Sequence, residues 1–218
     1  MKPKVTCFIP IRLNSKRVRN KNLRKLNGKP LISHIVETVS KVESIDETYI
    51  YSSADSLKKF CINNVRFLER SPQLDRDDTL GIEIYESFVK EIDSDIYVLV
   101  HATSPFTKVS SLKKGIQKLI NNENDSAFTV LHHKTFSWFD GKPLNYSLEN
   151  VIRTQEIKPV YTETSGFYIF KKELIIEHKR RIGFNPYLHI VDHIEGIDID
   201  YPQDFEFAES VSNIARTL

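Results

Sequence analysis

Arg12, Lys16, Arg17, Arg19 and Lys21 crowd one short stretch, which also carries Asn14 and Ser15 and closes on Asn22. Cations this close repel one another unless an anion sits among them. A triphosphate is an obvious candidate, because charge-assisted contacts to phosphate oxygens are strong and directional. Most basic runs are simply solvated loops. This one follows directly on an apolar, strand-like stretch at 5–11, and open α/β sheets bind ligands at the carboxyl ends of their strands.

A second candidate lies near the other end of the chain, in Ile197-Asp198-Ile199-Asp200. If 194–199 is the last strand, its period of two projects both carboxylates from one face. Together they could hold a hard cation such as Mg²⁺, which keeps waters and bridges to substrate phosphates. An Asp-x-Asp alone is common and can merely mark the polar face of a half-buried strand. Paired with a cationic loop in the same sheet, it completes the minimum equipment for phosphoryl or nucleotidyl transfer. The third candidate is His101-Ala102-Thr103-Ser104-Pro105, whose hydroxyls and imidazole could face the same edge. A plain strand-to-loop turn made by Ser-Pro accounts for these residues equally well.

The elements that must position these groups follow from periodicity. Strands are expected at 5–11, 48–53, 65–68, 95–101, 127–131, 166–170 and 194–199. Helices are expected at 30–42, at 82–89, at 110–120 and after Pro202, with a short one from Asp55 to Cys61. The alternation predicts an α/β fold, a mainly parallel, doubly wound sheet with helices on both faces. Between 132 and 163 the rhythm breaks around a hairpin at 138–143. That stretch reads as an excursion, an arm for dimerisation, from a single domain spanning 1–218.

Composition narrows the function classes. The chain has 218 residues with 31 Lys+Arg against 29 Asp+Glu, a net charge of +2. Bulk electrostatic binding to nucleic acid or to a membrane surface is therefore not expected, and no apolar run reaches the ~20 residues of a membrane span. Only 7 residues are Gly, and neither G-x-x-x-x-G-K-[ST] nor G-x-G-x-x-G occurs. A phosphate site here must rest on charged side chains. The two cysteines, Cys7 and Cys61, cannot supply a zinc cage. No secretory signal is visible ahead of the first strand, so a cytoplasmic location is expected.

Several ordered motifs carry a resemblance: Arg12-x-Asn-Ser-Lys16 with Lys21-Asn22, then Leu26-Asn-Gly28-Lys-Pro-Leu31, Leu68-Glu-Arg70, Asp78-Thr79, Thr103-Ser104-Pro105, Ser165-Gly166-Phe-Tyr-Ile169 and Gly196-Ile-Asp198-Ile-Asp200. Over nearly its full length the chain resembles the acylneuraminate cytidylyltransferases. These enzymes join CTP to 2-keto-3-deoxy sugar acids and release pyrophosphate, and the likeness is to the CMP-sialic acid synthetases and their relatives for pseudaminic, legionaminic and Kdo-type acids. The resemblance implies a Rossmann-like α/β sheet with a protruding dimerisation element, hence a homodimer, and CTP and a small sugar acid as substrates for surface glycan biosynthesis. By position it implies Arg12, Lys16 and Lys21 on the phosphates, with Asn14 and Ser15 in the same loop. It puts Asn22 and Arg70 near the cytidine, and Mg²⁺ on Asp198 and Asp200. Arg12, Lys16 and Asp200 are then the catalytic residues, the two cations offsetting charge on the departing pyrophosphate.

The acceptor side departs from the family pattern. Gln-Pro-Thr-Ser-Pro-Leu-Arg is common in the family where this chain has His101 to Thr107, and Glu163 stands where sialic-acid enzymes place an Arg. His101, Thr103, Ser104 and Glu163 are the expected acceptor residues, and exchanging a cation for a carboxylate argues against ordinary sialic acid. Two alternatives stay open: a metal-dependent glycosyltransferase using a sugar nucleotide, and a catalytically idle nucleotide-binding member.

Overall fold

The computed structural model describes residues 2–13, 15 and 17–217, with side chains as far as Ser212. Asn14 and Lys16 lie outside the described residues. Among these residues, β1 (Val5–Pro10), β2 (Glu47–Ser52), β3 (Val65–Glu69), β4 (Ile96–Val100), β5 (Ser126–His133), β6 (Val160–Lys171) and β7 (Pro186–Ile190) form one sheet in the order β7-β5-β6-β4-β1-β2-β3. The helices are α1 (Leu31–Val39), α2 (Gly81–Glu91), α3 (Val109–Ile120), α4 (Lys172–Ile176) and α5 (Pro202–Thr217). All neighbouring strands are parallel except β6, which runs antiparallel between β4 and β5.

The central strands are apolar on both sides because both sides are covered. Val5, Cys7 and Ile9 of β1 pack with Ile32, Ile35 and Val36 of α1 and with Leu112 and Ile116 of α3. Phe8 points the other way, into a layer with Phe88 of α2, Phe170 of β6 and Leu174 of α4. Its ring stacks on Phe88 with centroids 4.3 Å apart.

A third cluster decides the site. Val18, from the basic loop, is buried with Leu26, Leu31, Ile197, Ile199, and Phe205 and Ala208 of α5. Burial of these apolar side chains brings the segment carrying the cations against the segment carrying the Asp pair, at roughly 25 cal/mol per Å² removed from water.

Three expectations need correction. The segment 194–199 is not a strand; the last strand is β7, at Pro186–Ile190. Ile197 and Ile199 are buried and Asp198 and Asp200 half-exposed, so the alternation is present. It comes from packing into the third cluster, with a backbone hydrogen bond from Ile199 N to Thr103 O (2.8 Å) tethering the segment. The helix expected at 30–42 ends at Val39; Lys41 N and Val42 N bond instead to Thr38 O and Val39 O, a tighter turn that still buries Val42. The strand expected at 166–170 also begins earlier, at Val160.

Candidate active site

The basic loop leaves the carboxyl end of β1, beside the carboxyl end of β4. This is where the strand order reverses, with β2 and β3 to one side of β1 and β4 to the other. Ligand crevices of open α/β sheets open at such points. Asn22 Nδ2 donates to Arg12 O at 3.1 Å and closes the loop on itself. Asn20 adopts a left-handed φ of 53°, which Asn tolerates, and turns the chain into the short 3₁₀ turn Lys21–Leu23. With Val18 turned inward, Arg12, Ser15, Arg17 and Lys21 line a cleft of about 390 Å³ that His101 and Thr103 also line.

The acidic pair meets this loop directly. Lys21, nearly buried, donates from Nζ to Ile199 O (2.8 Å) and to Asp200 Oδ1 (3.0 Å). Arg17 donates to Asp200 Oδ2 at 3.0 Å and lies over the Tyr201 ring. Asp198 is held differently: its Oδ2 accepts from Ser165 Oγ at 2.8 Å, while Oδ1 is buried with no hydrogen-bond partner. A buried carboxylate oxygen left unpaired is costly, and a hard cation would satisfy it. No group of three or more His, Cys, Asp or Glu side chains converges among the described residues. A cation at the pair would therefore complete its shell with water or substrate oxygens, as Mg²⁺ does.

Ser165 reaches Asp198 because β6 is irregular there. Glu163 pairs with Val130 and Tyr168 with Phe128, so β6 uses five residues to advance where β5 uses two. The bulge turns Ser165 out of the ladder. Its carbonyl faces His101 Nδ1 at 3.0 Å. A carbonyl can only accept, so Nδ1 carries the proton. Burial holds the imidazole below its ordinary pKa, leaving a neutral ring with its lone pair on Nε2.

The expected residues do not all reach the cleft. Thr103 lines it, and its carbonyl receives Ile199 N. Ser104 is buried, 1 % exposed, and its carbonyl accepts from Thr107 Oγ1 at 3.0 Å; it builds the turn and does not face the cleft. Arg70 is equally buried. Its guanidinium donates to Ile11 O (3.1 Å) and to Asp75 Oδ1, beneath the start of the basic loop. Asp75 also accepts from Ser53 Oγ, and its carbonyl from Arg12 Nη1 at 3.4 Å. Asp75 escapes sequence reading because an Asp in a polar loop carries no spacing signal.

Glu163 accepts from Tyr168 Oη at 2.9 Å and faces Arg181 Nη2 at 3.3 Å. Arg181 also went unread. It belongs to Lys179-Arg180-Arg181, after α4, where nothing local marks one cation of three. The only hint available was Glu163 itself, since a carboxylate where a cation is usual invites a cation from elsewhere.

Comparison with known proteins identifies relatives of the chain. An N-acylneuraminate cytidylyltransferase of Streptococcus agalactiae serotype V is 25% identical over 218 residues, covering 94% of this chain and 52% of the relative. The chain thus spans about half the length of that protein. The post-translational flagellin modification protein B of Campylobacter coli is 22% identical over 219 residues, with 94% of this chain and 93% of the relative covered. Among solved structures, CMP:2-keto-3-deoxy-manno-octonic acid synthetase complexed with CTP superposes with a TM-score of 0.72 at 15% identity, over 99% of this chain and 100% of the other. At that identity the likeness establishes the fold. The sequence model described as Cytidylyltransferase matches residues 6–216, nearly the whole chain, and the chain therefore belongs to the cytidylyltransferase family.

Proposed function

We propose that this chain transfers CMP from CTP to a 2-keto-3-deoxy sugar acid of the sialic, pseudaminic, legionaminic or Kdo type, with release of pyrophosphate and dependence on Mg²⁺. The observation that carries the reading is the contact of Lys21 and Arg17 with Asp200. It joins two cations that line the cleft at the β1/β4 switch point to one carboxylate of the Asp pair, which supports a shared site for polyphosphate and a divalent cation.

In this reading the triphosphate lies along Arg12, Arg17 and Lys21, with Lys16 assigned to the same role from sequence alone. Asp198 and Asp200 would hold Mg²⁺, which supplies neutralisation of phosphate charge when bound. The acceptor hydroxyl attacks the α-phosphorus. An oxygen–phosphorus bond forms as the bond to the β-phosphate oxygen breaks, and the hydroxyl proton is released toward Asp200. Arg12 and Lys16 offset charge on the departing pyrophosphate. Asn22 shapes the base-side wall of the cleft, and Arg70 acts from below, by holding Asp75 and through it Arg12. On the acceptor side, His101 Nε2 accepts a hydrogen bond, and Thr103 and Glu163 complete the wall. Glu163 argues for an acid other than ordinary sialic acid.

The chain acts as one nucleotidyltransferase unit, cytoplasmic and dimeric. Segment 134–159 leaves the sheet and exposes Trp138, Phe139, Leu144 and Leu148 on and beyond its hairpin, which supports a homodimer formed through this arm. Among the described residues no helix is long and apolar enough to cross a membrane.

The deciding experiment supplies CTP, ATP, GTP or UTP with Mg²⁺ and, separately, N-acetylneuraminic, pseudaminic, legionaminic and Kdo acids, and follows pyrophosphate. Release that requires CTP and one of the acids is the expected result. Sugar transfer from a preformed sugar nucleotide, without pyrophosphate, would overturn the reading. Sedimentation equilibrium tests the dimer.

A further inference from the structure

An acid acceptor needs a cation of its own, and the cations of the basic loop lie at the phosphate end of the cleft. Lys21 and Arg17 are bound to Asp200, and Arg12 is drawn toward Asp75 and Asp77. Around the acceptor wall the sequence offers carboxylates, Asp198 and Glu163. Arg181 answers that imbalance. Its guanidinium carbon lies 3.9 Å from the centroid of the Tyr168 ring. The Tyr168 ring in turn meets the His101 ring edge-on, centroids 6.2 Å apart, and His101 lines the cleft. The Tyr168 and His101 rings thus connect the charge to the proposed acceptor position.

The local chain explains why Arg181 and not its neighbour points there. Lys179 takes a left-handed φ of 52° just beyond α4. Arg180 is then consumed by the turn it sits in, donating to Gly183 O at 2.9 Å and to Ile182 O and lying over Phe184. Arg181 is left facing the sheet, half-buried. Its hydrogen bond to Tyr168 Oη is 3.1 Å, and those to Glu163 Oε2 and Tyr85 Oη are longer, 3.3 Å and 3.4 Å. Two of the three partners are neutral phenols, and Nε makes no hydrogen bond among the described residues. A guanidinium has five N–H donors, so with its face on Tyr168 and three hydrogen bonds made, Arg181 keeps donor capacity for a ligand carboxylate.

We infer that Arg181 binds the carboxylate of the sugar-acid acceptor, with Glu163 and Tyr168 as positioning residues that hold its plane. This assignment rests on the nucleotidyl-transfer reading and deepens it. It also locates acceptor specificity in a loop after α4 rather than at position 163.

The test compares wild type, Arg181→Gln and Arg181→Lys at saturating CTP and Mg²⁺, using whichever acid of the panel above turns over and that acid's neutral C1 amide. A charged hydrogen-bonded pair implies a change of about 10- to 150-fold. Wild type should prefer the acid to the amide by that factor. Arg181→Gln should raise the KM for the acid to match, leave the KM for CTP within about twofold and erase the acid/amide preference; Arg181→Lys should restore part of it. If Arg181→Gln keeps the wild-type preference, or weakens acid and amide equally, the residue is a structural pin and the inference falls. Thermal melting of each variant separates that outcome from misfolding. If wild type releases no pyrophosphate with CTP and any acid, the transfer reading itself fails and takes this assignment with it.

Discussion

The Lys21 ammonium lies 3.0 Å from the Asp200 carboxylate although 179 residues separate them. The pair is reinforced by Arg17 on the other carboxylate oxygen and by Ile199 O on the same ammonium. Val18 and Ile199, buried together below, are what keep the two segments in register. A site made this way is largely neutralised before any ligand arrives, and an incoming polyphosphate and cation must redistribute these charges between them.

Asp200→Asn should therefore lower pyrophosphate release by about 10²- to 10⁴-fold, the usual range for a positioned acid or base. The apolar contacts that join the segments remain, so the variant should melt cooperatively near the wild-type temperature. Turnover at the wild-type rate would remove Asp200 from the chemistry.

Chelation gives a complementary result. EDTA should stop pyrophosphate release and added Mg²⁺ should restore it. The melting temperature of the nucleotide-free protein should move by less than about 2 °C, because Lys21 and Arg17 already neutralise Asp200. Full activity in EDTA would defeat the metal assignment.

Arg70 is held in a buried pair with Asp75, and Arg12 leans on the same residue. Replacing Arg70 with Met takes the donor away from Asp75 Oδ1 and Ile11 O, leaving Ser53 Oγ on the other carboxylate oxygen. A loss of about 1.5–3 kcal/mol in urea unfolding is expected, together with weaker CTP binding as Arg12 loses its support. CTP affinity unchanged in a destabilised variant would confine Arg70 to the fold.

At Gly166 an added Cβ would come within 2.9 Å of Thr129 Oγ1. That hydroxyl takes the hydrogen of Thr164 Oγ1 and faces Phe167 N, so it has little room to give. Gly166→Ala should cost about 1–3 kcal/mol, the range for overpacking. It should also disturb Ser165, which orients both His101 and Asp198. Stability equal to wild type would mean that the bulge relaxes freely.

Burial depresses the pKa of His101 and of His189 below the ordinary value near 6.5. As pH falls through 6.5 the unfolded chain takes up these protons first, so the stability the neutral rings contribute is present above that pH and lost below it. Further down, Glu47, hydrogen-bonded to Lys4, has a lowered pKa and loses its contribution as pH falls through its folded value. Melting temperatures taken from pH 8 to pH 2.5 should decline in these two stages. A flat profile between pH 7 and pH 5.5 would show the imidazoles protonated in place without penalty.

The sequence alone determined what local rules can determine. Apolar runs bounded by turn residues marked six of the seven sheet strands, and 3.6-residue spacing marked α1, α2 and α3, since burial on a face imposes its period on the chain. A cationic run immediately after the first strand and an Asp-x-Asp near the end were visible as candidates for the same reason. Tertiary structure decided which groups meet. Pro186–Ile190 pairs as an edge strand despite its weak pattern, because β5 offers it a partner. Residues 194–199 only imitate a strand, because their alternation comes from side-chain packing and not from a ladder. Ser104 turned inward and Arg70 went beneath the cleft, while Asp75 came to Arg12 and Arg181 to Glu163 from loops without any motif. Long-range pairing depends on which surfaces the whole core brings together, and no window of neighbouring residues contains that information.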